Sequence, residues 1–180
     1  DLYRIKIQHK PWPYPTLMRY HFYEEHKNIF AGRIIMHLDA DMQFVNNLNL
    51  TEMENSLGKA GITLVEHPGY YRPKGYERIT FYLRNPKYIL KDTFTYAKNC
   101  GLGTWENNQE SKAYLSIGKR NLYVCGGTWF GYKKQITDLC GELSDRINLD
   151  LKNNIIAKYH DESHLNWYRA NHLVNVIKPE

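Results

Sequence analysis

The stretch GRIIMHLDAD, residues 32–41, decides how the chain is read. Ile34, Ile35 and Met36 form an apolar, partly β-branched run that Gly32 opens and two aspartates close. Such a run predicts a buried strand that delivers Asp39 and Asp41 to the loop at its end. Along an extended chain, residues i and i+2 point the same way, so both carboxylates are expected to face one point. Hard oxygen donors of this kind suit manganese or magnesium shared with substrate phosphates. A solvated loop is the competing reading.

Around this strand, apolar patterning alternates between two types. ITLVEHP (62–68), NLYVCGGTWFG (121–131) and LVNVI (173–177) read as strands, as does the opening DLYRIKIQ (1–8). TLMRYHFYEEHKNIF (16–30) reads as a helix that Thr16 caps, and MENSLGKAG (53–61) as a short one. KKQITDLCGELSDRINLDLKN (133–153) has helical period, with Ile136, Leu139, Leu143 and Ile147 on one side. HDESHLNWYRANH (160–172) starts a final helix. RPKG, RNPK and NCGLG break residues 72–103 repeatedly, and RITFYL (78–83) is expected there as a strand. Strands alternating with helices predict a single α/β domain over residues 1–180, with a mostly parallel central sheet and flanking helices. Its ligand site should lie at the strand ends.

Composition narrows the functional classes. Hydrophobic residues make up 42% of the 180, which excludes a disordered chain. A formal net charge of +5 suits a phosphate-bearing ligand without marking a nucleic-acid binder. Cys100, Cys125 and Cys140 have neither CxxC nor paired Cys/His spacing, which argues against structural zinc. Apolar runs are too short to span a membrane. The chain begins with Asp1, not Met, which leaves an upstream leader or anchor open.

YHDESHLN (159–166) puts His160 and His164 four apart with Asp161 and Glu162 between them. Glu162 is misplaced for either zinc-protease pattern. A helix N-terminus and a catalytic carboxylate turn both remain open. The adjacent Gly126 and Gly127 permit close backbone approach to a ligand, or form a plain turn. His67, before Pro68-Gly69, is either a sugar-binding imidazole or part of a surface turn.

These segments occur in an order that resembles the family-6 retaining glycosyltransferases, the group of the ABO blood-group transferases and the α-1,3-galactosyltransferase. HDESHLN is the strongest match. LDADMQF (38–44), HPGYY (67–71), TWENNQESKAYL (104–115), LYVCGGTWFG (122–131), PTLMRYHFY (15–23) and VIKPE (176–180) accompany it. Residues 72–103 look like an insertion relative to the family, and Asn107-Asn108 stand where the family has two arginines. The family's N-terminal uracil-binding strand and basic C-terminal tail have no counterpart in the matched stretch.

The resemblance implies a GT-A-type fold. It implies transfer of galactose or N-acetylgalactosamine from a UDP-sugar to O3 of a galactose-terminated acceptor, with retention. Carried over by position, Asp39 and Asp41 would hold Mn2+ or Mg2+. Arg19, Ala40, Cys125, Gly126, Gly127, His160 and Asp161 would bind the donor. Glu162 would face the anomeric carbon, with Asp161 beside it. His67, Thr104, Tyr159 and Glu162 would line the acceptor pocket. The two glycines suggest room for the N-acetyl group, favouring UDP-GalNAc over UDP-Gal. In an animal the setting would be the Golgi lumen, otherwise the cytoplasm. The competing reading is a catalytically degenerate UDP-sugar or glycan-binding module. A metal-dependent phosphohydrolase would use the same aspartates, but lacks the further His and Asp ligands that two-metal hydrolysis needs.

Overall fold

The structure, a computed structural model, describes residues 4–47 and 49–179. The first three residues of the expected opening strand and Glu180 lie outside them. Residues 4–10 are exposed and take no strand pairing, because Ile5 and Ile7, 46% and 48% exposed, have no face to bury. The expected helix at 16–30 is broken into α1 (Tyr14–Leu17), α2 (Arg19–Glu25) and a 3-10 turn (Lys27–Ile29). Thr16 does not cap it. Its hydroxyl donates to the Pro13 carbonyl from within the first turn.

β1 (Ile34–Leu38), β2 (Ile62–Glu66), β3 (Val124–Tyr132) and β4 (Asn175–Ile177) form one sheet in the order β1-β3-β2-β4. The chain is α/β as expected, but the sheet is not mostly parallel. β3 runs antiparallel to both β1 and β2, and only β2 and β4 are parallel. Alternation of elements along a sequence does not fix strand direction. Here the long excursion between β2 and β3 brings β3 back between two strands that run against it.

The register of β3 places the functional residues. It pairs with β1 from Ile34↔Tyr132 to Leu38↔Thr128. Against β2 its register jumps between Leu64↔Trp129 and Glu66↔Val124. The segment 125–128 therefore bows away from β2, and Gly126 and Gly127 lie within the strand rather than in a turn after it. Bulges commonly re-aim backbone groups next to sites.

α6 (Lys133–Lys152) covers one face of the sheet. Ile136, Leu139, Leu143 and Ile147, the face expected from the period, are all buried and join Tyr20, Trp129 and Leu165 in the core. Burying each such side chain contributes about 1.5–3 kcal/mol. α7 (His160–Asn171) packs between α6 and β3. Asn166 fixes it there. Its amide accepts from Val124 N at 2.8 Å and donates to Val124 O at 2.8 Å, replacing a missing ladder partner at the start of β3.

Residues 76–84 and 87–99 are helical, so the strand expected at 78–83 is overturned. α3 spans Leu50–Leu57, and α4 (Tyr76–Arg84) and α5 (Lys87–Asn99) form a hairpin. Inside the hairpin, Arg72 lies over the rings of Phe81 and Tyr88, at 5.2 and 4.5 Å from their centroids. It pairs with Asp92 through Nε–Oδ2 at 2.5 Å and Nη2–Oδ1 at 2.7 Å, while the Tyr82 hydroxyl donates to Oδ2 at 2.8 Å. These contacts join α4 to α5 around Arg72, and such tertiary packing overrides the local strand preference of Ile, Thr, Phe and Tyr.

Asn166→Ala should lower the unfolding free energy by about 3 kcal/mol, since it strands two buried backbone groups of Val124. Urea denaturation measures this, and a loss within about 0.5 kcal/mol would contradict the bridging role.

Candidate active site

The ends of β1, β3 and α7 meet around Arg19, the first residue of α2. Its Nη1 donates to Gly126 O at 2.6 Å and to His37 Nε2 at 2.9 Å. Nη2 lies 3.2 Å from Asp39 Oδ1, and Nε lies 3.1 Å from Asp161 Oδ2. One guanidinium thus meets two carboxylates, a carbonyl and an imidazole, a use its fixed fork of donors allows and a lysine could not reproduce.

His37 Nε2 is also 3.1 Å from Asp39 Oδ1. One nitrogen cannot accept from Arg19 and donate to Asp39 at once. Burial and the neighbouring Arg19 charge depress the imidazole to about 4, so it is neutral. Nε2 then accepts from Arg19, Nδ1–H donates to the Tyr23 hydroxyl at 2.9 Å, and Asp39 is held by Arg19.

Asp161 and Glu162 occupy the first turn of α7. Asp161 is 5% exposed. Burial pushes its carboxyl up to about 7 against the pull of Arg19, and the nearby charges of Glu162 and Asp39 add to the rise. The Glu162 Oε2 accepts from Gly126 N at 2.8 Å. A Cβ on Gly126 would stand 3.1 Å from Asp161 Oδ2, and one on Gly127 would stand 2.9 Å from Asp39 Oδ2. The glycines therefore let three carboxylates close on the β3 bulge. Beyond them lies a cleft of about 450 Å³, whose other walls include Trp12, Lys158, Tyr159 and His160.

His160 and His164 do not share an environment. His160 sits at the cleft with φ 45° and meets the Trp12 ring edge-on at 5.1 Å. His164 is fully buried, with Nε2 3.6 Å from Asp150 Oδ2. This is not an ion pair, because burial and the Arg146 charge depress the imidazole to about 3.

Asp39 and Asp41 do not project from extended backbone as expected. A turn begins at Asp39, closed by Met42 N to Asp39 O at 3.0 Å. Asp39 is half-buried against Arg19, and Asp41 is exposed. This donor set fits a divalent cation that completes its shell with substrate oxygens. Among the described residues, no cluster of three or more His, Cys, Asp or Glu closes around an ion.

The residues expected at the acceptor pocket fall into two groups. Tyr159, half exposed, and Glu162 line the cleft. His67 and Thr104 lie behind it. The Thr104 hydroxyl bonds that of Tyr70, its carbonyl accepts from the Tyr123 hydroxyl at 3.3 Å, and the His67 ring stands 5.8 Å from that of Tyr123. Burial, with the charge of Glu162 beside it, raises the Tyr123 hydroxyl far above its usual range, so it remains a donor. Cys125, flanking the glycines, is half-buried, and burial raises its thiol. Ala40 is exposed at the turn.

Sequence reasoning missed several residues that shape this site. Glu106 is buried, and its Oε2 accepts from Lys158 N at 2.6 Å, tying the 104–115 loop to the turn before α7. Asp150 of α6 accepts from Ser111 Oγ and Lys112 N, both at 2.6 Å. Arg120 donates to Asn107 Oδ1 at 2.7 Å, so the asparagine is a local bonding partner. Glu106 carried no signal in the sequence, because its burial and its bond to Lys158 arise only in the folded chain.

Over residues 87–180 the chain matches the model of Glycosyltransferase family 6. It is 28% identical over 143 residues to Histo-blood group ABO system transferase 1 of Rattus norvegicus, covering 79% of this chain and 32% of that protein. It is 28% identical over 170 residues to O-antigen biosynthesis glycosyltransferase WbnI of Escherichia coli, covering 91% of this chain and 58% of that protein. The chain thus spans between about a third and three fifths of the length of these relatives.

The buried Asp161 makes stability depend on pH. Its folded value of about 7 lies above the ordinary carboxylate value of about 4, so its contribution is present below this window and is lost as pH rises through it. Asp161→Asn removes the effect, while His37 and His164 titrate alike in both proteins and cancel. The unfolding free energy of wild type minus that of Asp161→Asn should therefore fall as pH rises across the window. Parallel curves would contradict the buried-carboxyl assignment.

Proposed function

Because the chain belongs to glycosyltransferase family 6, we propose that it moves galactose or N-acetylgalactosamine from a UDP-sugar to O3 of a galactose-terminated acceptor, with retention and with Mn2+ or Mg2+ as cofactor. The observation that carries this reading is the approach of Asp39, Asp161 and Glu162 to the Gly126–Gly127 bulge around one guanidinium, at the floor of an open cleft. The relatives named for ABO and O-antigen transfer support the same class of reaction.

Asp39 and Asp41 would hold the metal, which when bound supplies positive charge for the departing diphosphate. Arg19 and Lys158 add fixed and mobile positive charge at the cleft. Asp161, carrying a proton for part of the time near neutral pH, can donate to or accept from donor hydroxyls. Glu162 stabilises positive charge developing at the anomeric carbon, or attacks it as a nucleophile. Gly126 N–H orients Oε2 at 2.8 Å and leaves the other carboxylate oxygen for the sugar. Tyr159 forms the exposed rim where an acceptor ring would stack. Tyr123 and Thr104 support that wall from behind.

Glu162→Gln keeps an oxygen for the Gly126 N–H, so the fold and UDP affinity should persist while kcat falls about a hundredfold or more. Near-wild-type transfer by this variant would remove Glu162 from the mechanism. Asp41→Asn should abolish stimulation by manganese, and full activity of that variant with a chelator present would sink the metal assignment. Gly127→Ala should depress turnover of both UDP-Gal and UDP-GalNAc, because its Cβ presses on the Asp39 carboxylate. Unchanged turnover would show that this approach is not used.

A further inference from the structure

The α4–α5 hairpin has an outer surface that the proposed chemistry does not use. α4 and α5 pack chiefly on each other. Tyr76, Ile79 and Leu83, at i, i+3 and i+7 of α4, are 82%, 58% and 78% exposed. On α5, Leu90 and Phe94 are 67% and 72% exposed. Folded proteins seldom leave such apolar stripes in water on two neighbouring helices without a partner.

The charge of the hairpin bears on which partner fits it. Residues 72–99 hold seven Lys and Arg against two Asp and Glu, a net +5. The whole chain also has a net charge of +5, so the remaining residues sum to zero. Moreover, Arg72 and Asp92 neutralise each other inside the hairpin. Lys87, Lys91 and Lys98 are exposed on α5 and recur at the spacing of Leu90 and Phe94. Apolar side chains interleaved with lysines can sink into a headgroup layer while the ammonium groups stay at its anionic surface. A protein partner would need an acidic and apolar groove to match both features, whereas an anionic lipid surface offers both without special shape.

We infer that the α4–α5 hairpin docks on an anionic lipid surface. The base of the hairpin holds it at a fixed place on the domain. Asn99 Nδ2 donates to Gly103 O at 2.9 Å and Arg120 Nη1 donates to Asn99 O at 3.1 Å. Docking would therefore set the cleft at a constant orientation to the lipid. This inference stands apart from the proposed transfer reaction, since none of its residues lines the cleft.

Vesicle co-sedimentation of the whole chain tests it. The chain should bind vesicles of phosphatidylcholine mixed with phosphatidylglycerol at least about tenfold more tightly than vesicles of phosphatidylcholine alone, and high salt should weaken binding. Leu90→Ser with Phe94→Ser, and separately Lys87→Glu with Lys91→Glu, should each reduce binding by about tenfold. All four side chains are exposed, so thermal melting followed by circular dichroism should stay as in wild type. Absent binding, equal binding to neutral vesicles, or insensitivity to both variants would overturn the inference. So would a dimer in solution that the serine variant disperses without any vesicle binding, since the face would then join two copies of the chain.

Discussion

Arg19 is the constraint on which the site depends. Two carboxylates, Asp39 and Asp161, come from different elements and approach the same half-buried point. Without a cation between them, their repulsion in a low-dielectric setting would push the end of β1 and the start of α7 apart. The guanidinium offsets that repulsion, and its remaining donors reach Gly126 O and His37 Nε2. The site is thus assembled by one side chain whose planar fork points at three elements.

The surroundings are arranged so that this charge is not dissipated. His37 stays neutral, so a second cation does not compete for Asp39. Its ring stacks on Trp129 at 4.7 Å, which fixes its orientation from the core side. The missing side chains at Gly126 and Gly127 let the carboxylates reach the β3 backbone. Asn166, Glu106 and Asp150 hold β3, the 104–115 loop and α7 in register from behind. In a site built this way the hydrogen-bonding groups are already aimed before a ligand arrives.

What was legible in the sequence follows from the range of each interaction. The buried face of α6 and the strand at 34–38 were legible because local periodicity reports one-sided burial. Asp161 and Glu162 were singled out from a contiguous motif, and the structure brings them to one cleft with Arg19 and Asp39. Strand direction was not legible, since it depends on the long excursion between β2 and β3. The α4–α5 hairpin was misread because its outward residues are apolar and exposed, which inverts the usual pattern, and because Arg72 and Asp92 stabilise it across 20 residues. His37, Glu106 and Tyr123 act through contacts between distant segments and leave no local trace.

The central claim is that Arg19 and Asp161 act as one unit. A double-mutant cycle measures it directly, with urea unfolding of the wild-type chain, Arg19→Met, Asp161→Asn and the double variant at a pH above the Asp161 value. The account predicts a coupling free energy of about 1 kcal/mol or more, with the double variant losing less than the sum of the single losses. Additive losses, agreeing within about 0.3 kcal/mol, would show that the two side chains do not depend on each other and would contradict the account.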